Sequence, residues 1–437
     1  TRRIDRAEPV DRASEGPARA PAEPAPAPAD DGPEPSPFPE PRRDFHVMVR
    51  EGDAGIAANY EKVPAALRAL GERVQVYVAD EDADLVDDAT LADVVQTFDR
   101  HIRPAAAETL GTAADADGDG RFTVFFSSWL ARLGGGRHAV DGYVRVTDLA
   151  PGYPPPFGNG CDMMYLSTAL KAGPHLRTVM AHEYTHAVVF TRKALRRPGG
   201  AVGPTEEEGW LDEALAHLCE DRHGFSRSNV DYRVSAFLSR PERYRLVVED
   251  YYVAGLFRSH GNRGSTYLFL RWCADRFGPG LTASLAGSNL RGTANLEAAT
   301  GRRFEDLFRA WSFALYTEGP GIADSGADGD AEGPWLMAGP RPSRQALGEI
   351  DGWEAAGTSP HYTVVDLDDA KAVRVVVEGP AAADLQVTAT VLPRTPRLKL
   401  EARTYTAADG ELMLRAPASA SSPRDDAPGG PLTLVSL

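Results

Sequence analysis

Cysteine is scarce in this sequence: Cys161, Cys219 and Cys273 are the only three in 437 residues. They allow one intrachain bridge at most, so disulfides are no framework for the fold. Cys219 and Cys273 lie in apolar helical contexts, where cysteine ordinarily serves as a small buried hydrophobe. No run of about 18 apolar residues occurs, which excludes a membrane-spanning helix. Basic residues are in deficit, 47 Lys and Arg against 63 Asp and Glu, for a formal net charge of −16. That balance argues against a nucleic acid or an anionic membrane as partner, since either calls for a basic face. What remains is a globular composition, 42% hydrophobic and 25% charged. At this length about two or three domains are expected.

Histidine is also sparse, ten in the chain, yet two stand four apart in His182-Glu183-Tyr184-Thr185-His186. The pattern H-E-x-x-H arises by chance on the order of once in 100 such chains, so its surroundings decide its meaning. Here it lies within the apolar-rich run Leu176 to Phe190, with Pro174 near the start, where proline suits a first helical turn, and Pro198-Gly199-Gly200 to end it. On a helix, residues four apart share a face, so His182 and His186 can each turn a ring nitrogen toward one Zn²⁺. Glu183, one step round, is placed to act as a general base on a metal-activated water.

Taken in order, the chain opens on a Pro- and Ala-rich stretch over residues 1–43, with eleven Pro among the first 41 residues and no helical or strand period. It is expected to be a disordered spacer. The first residue is Thr1 rather than Met, from which a removed leading segment and a secreted or cell-surface location are expected. From residue 44 to 316 strand and helix patterns mix. Phe45–Val49, Val74–Val78, Phe122–Phe126, Asp141–Val146 and Asp162–Leu166 read as strands. Val63–Leu70, Thr90–Ile102, Thr266–Phe277 and Phe304–Tyr316 have helical spacing. Residues 317–345 form a Gly-, Asp- and Pro-rich linker, and 346–437 carry short alternating runs (Tyr362–Leu367, Ala372–Val377, Leu385–Leu392, Leu398–Thr404) that predict a small β-sandwich. The fold class expected is α+β, a zincin-like catalytic domain followed by an all-β domain.

Asp115-Ala-Asp-Gly-Asp-Gly-Arg-Phe-Thr123 begins like an EF-hand loop, with Asp115, Asp117 and Asp119 at alternate positions. Position twelve, where that loop needs a bidentate Glu, is Phe126. Two readings stand: a turn before a strand, or a Ca²⁺ site of another kind.

A catalytic zinc keeps three protein ligands and one open position, so two His need a third partner. Glu206 and Glu213 compete, 20 and 27 residues after His186. Thr205 and Glu208 have capping-box spacing, which predicts a second helix from Thr205 to near Gly224 and puts Glu206 in its first turn, where acidic residues are favoured anyway. Glu213 lies two turns deeper on an apolar helix and is preferred. His217 and Glu220 share its stripe, and a carboxylate there could accept the outer N–H of a ligating His.

His182-Glu-x-x-His186 followed by Trp210-Leu-Asp-Glu213 resembles the gluzincin metallopeptidases, most closely the hyicolysin family. The likeness takes in Asp117–Val124, Gly142–Leu149, Asp162–Leu166 and Gly264–Arg271, and covers roughly residues 45–316. It departs at Ala214, where Gly is usual, a mild change on a helix. The resemblance implies Zn²⁺ held by His182, His186 and Glu213, Glu183 as general base, and a peptide or protein substrate. Members also tend to place a downstream Tyr or His on the oxyanion, which makes Tyr267 and His260 candidates. The alternative from another class is a non-catalytic, zinc-containing surface or binding protein working through its β domain. Glu183 separates the two readings, because a closed structural site has no use for an acid/base beside its metal.

Overall fold

Three neighbouring strands, β3 (Val74–Ala79), β4 (Phe122–Ser127) and β6 (Met163–Ser167), are buried at every position. Such runs are mostly apolar because both faces of the sheet are covered, with Gln75 and Thr123 paired to each other through Gln75 Nε2 and Thr123 Oγ1 at 3.0 Å. They form the middle of a six-stranded mixed sheet, completed by β1 (Arg42–Met48), β2 (Tyr60–Leu70) and β5 (Gly142–Tyr143), in the order β1-β2-β3-β4-β6-β5. β3, β4 and β6 run parallel, with Val76 opposite Val124 and Val124 opposite Met164; β1, β2 and β5 are antiparallel to their neighbours. This computed structural model describes residues 39–50, 53–133, 140–150, 152–195, 206–251, 253–256, 258–317, 339–346, 354–366, 372–376, 385–391, 403–406, 411–415 and 432–436.

One face of the sheet packs Phe45, Tyr77, Phe125 and Tyr165 with Leu130 and Cys161. The other carries the larger core, in which Val76, Val124 and Met164 meet Phe98, Leu176, Met180 and Tyr184. The helices that cover it begin with α1 (Asp88–Thr97), whose first turn is capped by Asp87 accepting from Thr90 N at 2.8 Å, and α2 (Arg103–Thr109). Two short turns, α3 (Trp129–Arg132) and α4 (Val146–Leu149), precede α5 (Pro174–Leu195). Then follow α6 (Gly209–His223), α7 (Ser228–Ser239), α8 (His260–Phe277), α9 (Gly280–Ala286), α10 (Gly292–Thr300) and α11 (Phe304–Thr317). Among the described residues no helix is long and apolar enough to cross a membrane.

The regular elements described in the C-terminal stretch are all strands. β7 (Ser343–Ala346), β8 (His361–Asp366), β10 (Gln386–Val391), β11 (Arg403–Thr406) and β13 (Leu432–Ser436) form a sheet in the order β11-β10-β13-β8-β7, and β9 (Ala372–Val376) pairs with β12 (Glu411–Arg415). Tyr362 of β8 enters the helical core, where its hydroxyl donates to Ser312 O at 2.9 Å and its ring stacks on Tyr316.

Three expectations are corrected. Val63–Leu70 is strand, not helix: Val63, Leu67 and Leu70 have helical spacing, but β1 and β3 offer pairing on both sides and only Val63 and Ala65 turn fully inward. Asp141–Val146 contributes only Gly142–Tyr143 to the sheet, and Val146 already opens a helical turn. The second metal-motif helix starts at Gly209 rather than Thr205, with Glu208 as its N-cap and no side-chain cap. Residues 1–38 of the Pro-rich stretch, Pro198–Gly200, Thr205, most of the linker and residues 398–402 lie outside the described residues.

Candidate metal centre

The first turn of α5 is secured from α1, where Asp93 Oδ2 accepts from Gly173 N at 2.8 Å and Oδ1 from Arg177 Nε at 2.8 Å. One face of α5 then lies on the sheet, with the ring of Tyr184 edge-on to Phe98 and Phe122. The helical period turns His182 and His186 away from that contact and toward α6. The end of α5 and the approach to α6 are joined by a buried ion pair, Lys193 Nζ to Glu207 Oε2 at 2.8 Å. Lys193 also donates to Ser288 O and Leu290 O, while Glu207 accepts from Gly292 N and Asn295 Nδ2, so both charges are fully solvated by protein.

His182 Nε2 and His186 Nε2 come within 3.1 Å of each other, and Glu213 Oε2 lies 3.5 Å from His182 Nε2. Tetrahedral ligands about 2.0–2.1 Å from one Zn²⁺ stand about 3.4 Å apart, so these separations would suit a shared ion. The outer nitrogens reinforce this. His182 Nδ1 faces Glu220 Oε1 at 2.5 Å and His186 Nδ1 faces Asp212 Oδ2 at 2.8 Å. The hydrogen bond to Glu220 calls for an N–H on His182 Nδ1, and the Asp212 carboxylate beside His186 Nδ1, though out of hydrogen-bond line with it, favours an N–H there too, which leaves both Nε2 atoms as lone pairs facing the Glu213 carboxylate. Glu213 Oε2 is itself buried and, among the described residues, without a hydrogen-bond partner. Three acceptors converging without a donor repel one another unless a cation stands between them; these residues fit a metal ion.

The charges respond accordingly. Burial alone would lower the His186 imidazole, but Asp212, Glu213 and Glu183 outweigh it and push it up to about 10. Burial would raise Glu213, yet Arg263, His182, His186 and His217 hold it at about 2. Glu183, only 8% exposed, is raised above the usual carboxylate range by burial, with both histidines pulling against it. Its neighbourhood includes the edge strand: a Cβ on Gly142 would stand 3.1 Å from Glu183 Cγ and 2.9 Å from Val179 Cγ1. Glycine at 142 is what lets β5 pass this close.

Glu220 joins two histidines, accepting at Oε1 from His217 Nδ1 at 2.8 Å as well as from His182, and Asn229 Nδ2 donates to both its oxygens. His217 is fully buried, and that burial takes its imidazole down to about 4, so it is neutral. Glu206 is exposed and stands outside the group, in the extended residues before α6. The two oxyanion candidates part company. Tyr267 is buried with its hydroxyl 3.3 Å from Arg271 Nη1, on the Asp221 side of α8, whereas His260 opens α8 one turn before Arg263. Arg263 Nη2 reaches Glu213 Oε1 at 2.8 Å and lies over the ring of Tyr251 at 5.5 Å.

Asp212, Arg263 and Gly142 were not singled out by the sequence. Asp212 had a signal, since two ligating histidines need two outer acceptors and Glu220 serves one. Arg263 and Gly142 had none, because both arrive from distant elements.

The loop at residues 115–119 is arranged differently from the expectation. Asp115 and Asp117 group with Asp162, not with Asp119. Asp119 turns to Gln75 Nε2 at 2.5 Å and to Arg121 N at 2.7 Å. Asp117 pairs with Arg43 Nη1 at 2.9 Å, Asp115 accepts from Gly118 N and Gly120 N, and Asp162 accepts from Ala116 N.

A scan against known family models finds no match to this chain, and a search of curated proteins finds none either.

Proposed function

We propose that the chain is a zinc metallopeptidase of the gluzincin type, with a zincin-like catalytic domain over about residues 44–316 and a β-sandwich-like accessory domain beyond residue 346. The observation that carries this reading is the convergence of His182 Nε2, His186 Nε2 and Glu213 Oε2, with a second carboxylate, Glu183, buried beside them at the position after His182. His182, His186 and Glu213 would hold the ion. A bound zinc supplies Lewis acidity toward a carbonyl and lowers the pKa of water.

The remaining steps belong to the protein. Asp212 and Glu220 hold the imidazoles in the tautomer that presents Nε2. Glu183, a carboxyl raised by burial, takes a proton from the attacking water and returns it to the leaving amine. β5 is the last strand of the sheet order, and its closeness to Glu183 gives an extended peptide an edge to pair with beside that carboxylate.

The experiment compares wild type with Glu183→Gln on a mixed-peptide library, with zinc quantified in both. Expected are unchanged zinc and a rate lower by 10²–10⁴-fold, roughly 3–5 kcal/mol in the barrier. Equal cleavage by the two proteins sinks the mechanism. Wild type that holds zinc yet cleaves nothing between about pH 5 and 9 favours the binding-protein reading instead.

A further inference from the structure

The start of α6 has most hold on the third donor, because Asp212 and Glu213 lie within its first turns. The first N–H groups of a helix have no partner within it. Here two of them reach the connection after α7: Gly209 N donates to Glu249 O at 2.6 Å and Trp210 N to Val248 O at 3.0 Å. The fit is tight, since a Cβ on Gly209 would stand 3.1 Å from Glu249 O.

That connection is gripped from its other side by the C-terminal stretch. Leu246 N donates to Thr358 O at 2.9 Å and Val247 N to Thr358 Oγ1 at 3.1 Å. Ala356 N and Ser359 Oγ both donate to Glu242 O, at 2.8 and 3.0 Å. Among the described residues Thr358 alone is a non-glycine with positive φ, at 54°. A β-branched residue is strained there, and such strain persists only where several contacts determine it together. At the far end of the same connection Tyr251 stacks on Arg263, which pairs with Glu213. Residues 246–251 therefore touch the Glu213 region twice, through the start of α6 and through Arg263.

We propose that Thr358 is a positioning residue for the metal centre, acting through residues 246–251 on the first turn of α6 and so on Asp212 and Glu213. The C-terminal stretch is then part of the scaffold of the site and not merely an appended surface. This rests on the reading of His182, His186 and Glu213 as metal ligands.

The test uses the full chain as wild type, Thr358→Val and Thr358→Ser. Valine keeps the shape and removes the Oγ1 acceptor; serine keeps the acceptor. Zinc affinity is measured by chelator competition, and the visible spectrum of the Co²⁺-loaded protein reports ligand geometry. Expected are an affinity about fivefold or more weaker and an altered cobalt spectrum for valine, with serine restoring both. If valine lowers only the melting temperature of the metal-free protein, leaving affinity and spectrum at wild-type values, Thr358 is a packing residue and the proposal is overturned. If wild type takes up neither Zn²⁺ nor Co²⁺, the metal reading itself falls and takes this proposal with it, a different outcome from the last. Should Thr358→Val not fold, amide exchange on wild type reads the same link. Zinc should slow Gly209, Trp210, Leu246 and Val247 together, and slowing confined to Gly209 and Trp210 overturns the proposal.

Discussion

Around His182 and around Asp115 the chain gathers ligand-capable side chains in two places, and the two differ in what their donor atoms already do. At His182, His186 and Glu213 the outer nitrogens face the carboxylates of Glu220 and Asp212, while the inner lone pairs face one another and, among the described residues, Glu213 Oε2 has no hydrogen-bond partner. At Asp115, Asp117 and Asp162 the carboxylates are already answered, by Arg43 and by the main-chain N–H groups of Gly118, Gly120 and Ala116. Proximity of acidic groups is thus a poor guide to a cation site. Donors left unspent after every local partner has been counted are the better one.

The comparison breaks most sharply at the ligands. Glu213→Ala should take the zinc content of purified protein from about one ion per chain to near none, while Glu206→Ala leaves it unchanged. The reverse result, measured by elemental analysis, would return the third position to Glu206. Next in size is Asp212→Ala, which removes the acceptor facing His186 Nδ1 and leaves His182, His186 and Glu213 in place. A 10–100-fold loss of zinc affinity is expected, and an affinity equal to wild type would show that Asp212 merely lies near. The smallest effect belongs to the acidic cluster. Millimolar Ca²⁺ should leave the melting temperature within about 1 °C, less than the shift of about 2–4 °C that 1 kcal/mol gives a domain of 150–250 residues. A rise of several degrees, abolished by Asp162→Asn, would make the two clusters alike after all.

What was legible in the sequence follows the range of the interactions. The helix bearing His182 and His186 announces itself because its spacing, its proline and its apolar run are all local. Glu213 was favoured over Glu206 by a helix start at Thr205, whereas the helix begins at Gly209. The true start is set by Val248 and Glu249, some 40 residues on, which no window around Thr205 contains. Val63–Leu70 misled for the same reason: two neighbouring strands outweigh a weak helical pattern. Asp162 joined the acidic group from the next strand of the sheet, and Arg263 reached Glu213 from α8, so both needed the fold before they could be seen.

The buried pair of Lys193 and Glu207 has a consequence for the chain's continuity. It fastens the end of one ligand helix to the beginning of the next, and with Ser288, Leu290, Gly292 and Asn295 as further anchors it does so without help from the peptide bonds between them. Cutting the chain once between these two anchors is expected to leave His182 and His186 on one polypeptide and Glu213 on another, held together by this buried ion pair, a two-chain protein in which the three side chains still meet.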